Sequence, residues 1–170
     1  DGMAVTGALE YTGSPDFKGT ARLEYRNQGG QSFLLRTVGA AWRVNPDLSL
    51  LLRDVSDRAQ GTAGRTFERT QLGMAWRPQD GGPWNGLMKV ERRFEKDELA
   101  SRLRRNVALL SLAINYETDG PVRVSAFYAG KAAQEDSGGI STSTTAHMLG
   151  GRLIWELAQR WDVGLTGAKF

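Results

Sequence analysis

The stretch "GTARLEYR", residues 19–26, alternates apolar and polar side chains without a break. Successive side chains of an extended strand point to opposite faces, so Gly19, Ala21, Leu23 and Tyr25 share one face and Thr20, Arg22, Glu24 and Arg26 the other. The same period recurs along the whole chain, at residues 3–12, 32–44, 48–57, 66–77, 84–95, 104–117, 122–131, 145–157 and 161–170. No segment keeps the helical period of about 3.6 residues. The expectation is an all-β, antiparallel up-and-down arrangement of about ten strands. Alternation alone leaves two solutions open. In a soluble β-protein the apolar face looks into a core, and in a transmembrane β-barrel it looks out at lipid while the charged face lines the lumen.

Composition narrows the classes. A chain of 170 residues is read as one domain spanning residues 1–170. Its 22 basic and 19 acidic residues are dispersed and leave a net charge of +3, so no basic patch points to nucleic acid. It has no cysteine, which removes disulfides, thiolate chemistry and most structural zinc sites. No apolar run reaches the roughly 18 residues of a membrane-spanning helix, but barrel strands need only about 9–11 residues of alternating polarity. The opening "DGMAVTG" has no initiator Met or signal peptide, so a mature product or a fragment is expected.

Connections and aromatics favour the barrel. "NPD" (45–47), "QDGGP" (79–83), "TDGP" (118–121) and "AQR" (158–160) read as tight turns. The polar segments "SDRAQGTAGR", "EKDELASRLRR" and "AAQEDSGGISTST" read as longer loops at the opposite end, the sorting found in outer-membrane barrels. Tyr11, Trp42, Trp76, Tyr116 and Trp155 each close a strand before a short connection, and Trp84 and Trp161 open the strand after one. All share the apolar face, as an aromatic belt at a membrane interface requires. Tyr25, Phe94 and Tyr128 form a sparser set toward the other end. The charged face carries Arg22, Glu24, Arg26, Arg36, Arg53, Arg69, Lys89, Glu91, Arg93, Arg123, Arg152 and Glu156, expected to form ion-pair ladders or to line a wet lumen.

The segments "QLGMAWRPQDGGPWNGLMKVERR" and "AHMLGGRLIWELAQRWDVGLTGAKF" resemble the C-terminal barrel region of large, poorly characterised Gram-negative surface proteins. Their hairpins repeat A-W/Y-R-P, a short turn and W-N-x-L, then L-x-G-R-L-x-W, a short turn and R-W-D-x-G-L. The resemblance implies an outer-membrane location and about three further strands after the chain. Bacterial barrels have even strand numbers and periplasmic termini, so a strand is also expected before Asp1. The intact barrel then has roughly fourteen strands.

Candidates for chemistry are few. His147 is the one histidine, placed on the apolar face with Ser143 and Thr145 near in sequence. No metal-ligand cluster, phosphate loop or cofactor motif is present, so no cofactor is expected and the chain is read as not an enzyme. Arg102, Arg104 and Arg105 fall in an expected outer loop, where arginine forks suit lipopolysaccharide phosphates; a solvated loop balanced by Glu95, Asp97 and Glu98 is the plainer reading. Three functions stay open. The first is a membrane anchor or translocation unit of a larger surface protein, with outer-membrane lipid and the missing strands or domains as partners. The others are a passive pore with an anion-favouring lumen and a soluble β-barrel holding an apolar ligand.

Overall fold

The structure, a computed structural model, describes residues 2–60, 64–98, 102–117, 120–158 and 161–170. They form one antiparallel sheet of ten strands, each paired with its neighbour in sequence. The strands are β1 (Gly2–Tyr11), β2 (Phe17–Gln28), β3 (Gln31–Asn45), β4 (Leu48–Gln60), β5 (Arg65–Trp76), β6 (Trp84–Asp97), β7 (Leu103–Glu117), β8 (Val122–Ser137), β9 (Ile140–Ala158) and β10 (Trp161–Lys169). Every expected strand is present. β1 pairs only with β2 and β10 only with β9, so the sheet is unclosed and keeps two free edges.

The sheet curls. Residues of the eight strands β2 to β9 line one common cavity, which only the concave side of a curved wall can provide. The register shows the inclination that such curvature demands. Cross-strand partners lead from Tyr11, the last residue of β1, through Gly19, Ala40, Leu52, Leu72, Val90, Leu110 and Gly130 to His147, well before the end of β9. Strands that climb past one another in this way are those of a tilted barrel wall.

The expected sorting of long and short connections is not found. Strands β8 and β9 run through the segment read as a low-complexity loop and meet at Gly138 and Gly139, with φ of 57° and 87°. β2 and β3 meet in the same way at Gly29 and Gly30, with φ of 61° and 78°. Two-residue hairpin turns with positive φ at both positions suit glycine and match the twist of the flanking strands. These strand ends are polar on both faces, so they lack the apolar alternation that marks a strand in sequence, although backbone pairing needs no apolar side chain. Parts of the other segments, residues 61–63, 99–101, 118–119 and 159–160, lie outside the described residues.

At the opposite end the turns are braced by side chains. Asn45 Oδ1 accepts from the backbone N–H of Asp47 at 2.9 Å and of Leu48 at 2.8 Å, closing the "NPD" turn. Asp47 then accepts from the Gln79 N–H at 2.8 Å and so ties two adjacent turns together.

One close approach fixes the β8–β9 pair. Gly150 lies directly opposite Phe127, whose ring covers it, and a Cβ there would also come within 2.8 Å of the Gly167 carbonyl on β10. The substitution Gly150→Ala is expected to cost about 1–3 kcal/mol through the forced shift of the ring. Urea unfolding of the refolded protein measures it, and an unchanged midpoint would mean that the ring moves freely.

Candidate functional site: the two faces of the wall

Side-chain parity, propagated through the register, sends all of Arg22, Glu24, Arg26, Arg53, Arg69, Lys89, Glu91, Arg93, Arg123, Arg152 and Glu156 to the concave face. Residues two apart on one strand are neighbours on that face, and so are direct cross-strand partners. Glu91 shows the consequence. Its side chain is fully buried: Arg69 donates to both of its oxygens at 3.0 Å, Gln71 Nε2 donates at 2.6 Å, Arg93 pairs with it and Lys89 Nζ lies 3.6 Å away. Glu24 is likewise buried between Arg22, at 3.0 Å, and Arg26. Arg123 bridges Glu117, at 3.4 Å, and Glu156. Within the described residues the side chains of Arg53 and Lys18 have no such partner.

Arg36 is a correction. It has the parity of Trp42 and lies on the convex face, where it donates to Asp54 at 2.8 Å. Thr70 Oγ1 also donates to Asp54, at 2.8 Å, and Arg58 meets Glu68 at 2.9 Å. Arg104 and Arg105 belong to β7 rather than to a loop, and alternation separates them. Arg104 lies on the convex side with its guanidinium 5.7 Å from the Phe94 ring centroid, while Arg105 faces Glu135 on the concave side at 3.6 Å. They do not form one patch with Arg102.

Tyr11, Trp42, Trp76, Trp84, Tyr116, Trp155 and Trp161 all lie on the convex side at the end where β1 finishes and β2 begins, here called the turn end. Trp42 is 51% exposed and Trp161 72%, and the Trp84 and Tyr116 rings meet at 4.8 Å. Among the described residues Val107 is the one buried hydrophobic side chain. A soluble protein of this size buries its apolar face against a second layer. This sheet leaves it bare.

The sequence reading missed an apolar band that crosses the concave face between the Glu91 cluster and the polar residues of the turn end, Asn85, Asn115, Arg123 and Glu156. There Leu51, Leu87, Phe127 and Met148 line a cavity of about 960 Å3, bordered by Arg53, Gln71, Lys89 and Lys18. The signal was present in "LSLLL", "GLMKV", "AFY" and "HML", where apolar residues stand side by side. Consecutive apolar residues in a strand make both faces apolar, and a search for alternation passes over them.

His147 Nδ1 lies 2.8 Å from Tyr128 Oη on the convex face, with the two rings 6.1 Å apart. No group of three or more His, Cys, Asp or Glu side chains able to hold a metal occurs among the described residues.

An antiparallel meander curved into a tilted wall, with charges inside and bare apolar side chains outside, defines the fold of an outer-membrane β-barrel. Comparison with solved structures agrees. The chain is similar to the loop L8 deletion mutant of OmpT, an outer membrane protein of Vibrio cholerae, with a TM-score of 0.60 and 12% identity. The match covers 98% of this chain and 57% of that one, so the chain spans a little over half the length of that barrel. No family model and no curated protein matches the sequence. The expectation that the chain is not an enzyme is corrected by this likeness: at 12% identity it carries the fold alone and gives no ground for excluding catalysis.

Replacing Glu91 removes the shared partner of three cations. Glu91→Gln is expected to destabilise the folded wall by about 1–3 kcal/mol, less than for a fully buried pair because Arg69 and Arg93 still reach water. The shift in urea midpoint at constant slope measures it.

Proposed function

We propose that the chain is the membrane-spanning wall of a barrel in the outer membrane of a Gram-negative bacterium, and that it serves as the membrane anchor or translocation unit of a larger surface protein. The bare convex face supports the membrane reading. Lipid is the solvent in which Leu112, Leu153 and Leu165 cost nothing by being exposed, and the tryptophans then lie at the interface, where amphipathic rings are favoured. The free edges of β1 and β10 are closed in this reading by further strands of the same protein, because unpaired backbone groups are not tolerated in hydrocarbon. Arg104, near the far end of the convex side, contacts lipopolysaccharide phosphates in this reading.

The concave face favours the anchor over the open pore. Its buried carboxylates are already neutralised by arginines, and an apolar band crosses it between them and the polar residues of the turn end. A diffusion pore needs a continuous wet wall, and an apolar constriction dewets. Full-length protein in planar bilayers is therefore expected to be electrically silent; steady conductance would overturn the anchor role and leave the barrel standing. Heat-modifiable gel mobility is expected in detergent, and a monodisperse, detergent-free protein would defeat the membrane reading. Leu112→Arg on the convex side should cost about 2–4 kcal/mol in a bilayer, and Ser111→Arg on the concave side much less. The opposite order would invert the face assignment.

A further inference from the structure

The apolar band of the concave face is used by none of these roles. Leu87 is 56% exposed and Leu51 50% exposed on it, so nothing within the described residues covers them. Exposed leucines inside a barrel that held only water would be a standing cost. The small residues around them create room: Gly73 lies directly opposite Leu51, and Ala75 directly opposite Leu87. The resulting cavity of about 960 Å3 lies near the top of the range of about 300–1,000 Å3 typical of small-molecule sites.

One end of this apolar surface is cationic in a particular way. Arg53 sits where the apolar band meets the charged region around Glu91, between Gly39 on β3 and Gln71 on β5. Its neighbours are a hydrogen and an amide, and no carboxylate answers its charge. By contrast Arg22, Arg26, Arg69 and Arg93 each hold Glu24 or Glu91. An unanswered guanidinium beside an apolar cavity matches a ligand that is apolar along its length and anionic at one end. A neutral lipid would leave the guanidinium without a partner when the cavity fills, which is costly. A carboxylate matches the guanidinium fork in geometry as well as charge.

We propose that this band of the lumen binds a long-chain fatty acid, with its carboxylate on Arg53 and its chain laid over Leu51 and Leu87 against Phe127. The site rests on the reading of the convex face as lipid-facing and is independent of the anchor role.

The test uses full-length protein refolded into phosphatidylcholine vesicles, hexadecanoic acid carrying a mid-chain diazirine, and the corresponding alcohol as the neutral probe. After photolysis, labelled peptides are mapped by mass spectrometry. The acid is expected to label peptides containing Leu51 and Leu87 on the concave face, and excess unlabelled hexadecanoic acid should abolish that labelling. Arg53→Gln should weaken concave labelling by the acid about tenfold, the worth of one charged hydrogen-bonded contact, and leave labelling by the alcohol unchanged. Leu87→Glu should remove concave labelling by both probes, and heat-modifiable mobility of each variant verifies folding. Labelling confined to convex positions such as Leu112 and Leu165 would overturn the site while sustaining the barrel, whereas absence of convex labelling would overturn the barrel reading itself. Equal concave labelling by acid and alcohol, insensitive to Arg53→Gln, would also overturn the proposal, since a mere apolar lining or a chain segment filling the cavity would then account for it.

Discussion

Backbone pairing between neighbouring strands is the interaction on which this structure depends. A sheet with one buried hydrophobic residue among those described has almost no core to hold it. What fixes the strands is an uninterrupted ladder of N–H to C=O bonds across nine strand pairs, broken only by irregularities at residues 43–45 and 161–162. Such a ladder gains strength where water cannot compete for its hydrogen bonds. It also sets side-chain parity, because each residue of β2 to β9 is held to one face by partners on both sides, and those of β1 and β10 by partners on one.

Parity then divides the chemistry. On the concave face it stacks charges at alternate positions, so that an arginine two residues away and another across the strand can converge on one carboxylate. Glu91 is held in that way, and Glu24 lies between two arginines of its own strand. Hydrogen-bonded clusters of this kind pin neighbouring strands at the end where the convex face carries its own polar contacts, Arg36 to Asp54 and Arg58 to Glu68. Below them the same parity places leucines, a phenylalanine and a methionine inward, and along its height the wall passes from the ion-paired clusters through an apolar band to the polar residues of the turn end. A lumen graded in this way differs from the uniformly polar lining of an aqueous channel.

Much of this was legible in the sequence. The ten strands, the common face of the eleven charges and the common face of the aromatic set could be read because each depends on period-two spacing, and the backbone enforces that spacing locally. Arg36 was misassigned because "LLRTV" offers leucines on both parities, and only the count back from Trp42 decides. The segment 132–144 read as a loop because its residues are mostly polar on both faces, yet it pairs in register on either side of Gly138 and Gly139. Loop length was therefore a poor guide to this wall, whereas the placement of the tryptophans was a good one.

The sequence by itself determined the strand number, the alternation and which side chains share a face, since these follow from the geometry of an extended chain. It could not decide which face is concave, because two curvatures are compatible with one alternation. Nor could it bring together residues such as Leu51, Leu87, Phe127 and Met148, which are distant in the chain and meet only when the wall bends. The tertiary structure decided both through strand inclination and curvature. These set which positions converge on a cavity, and among the described residues they leave Arg53 and Lys18 unpaired at its border, while the arginines around Glu24 and Glu91 are neutralised.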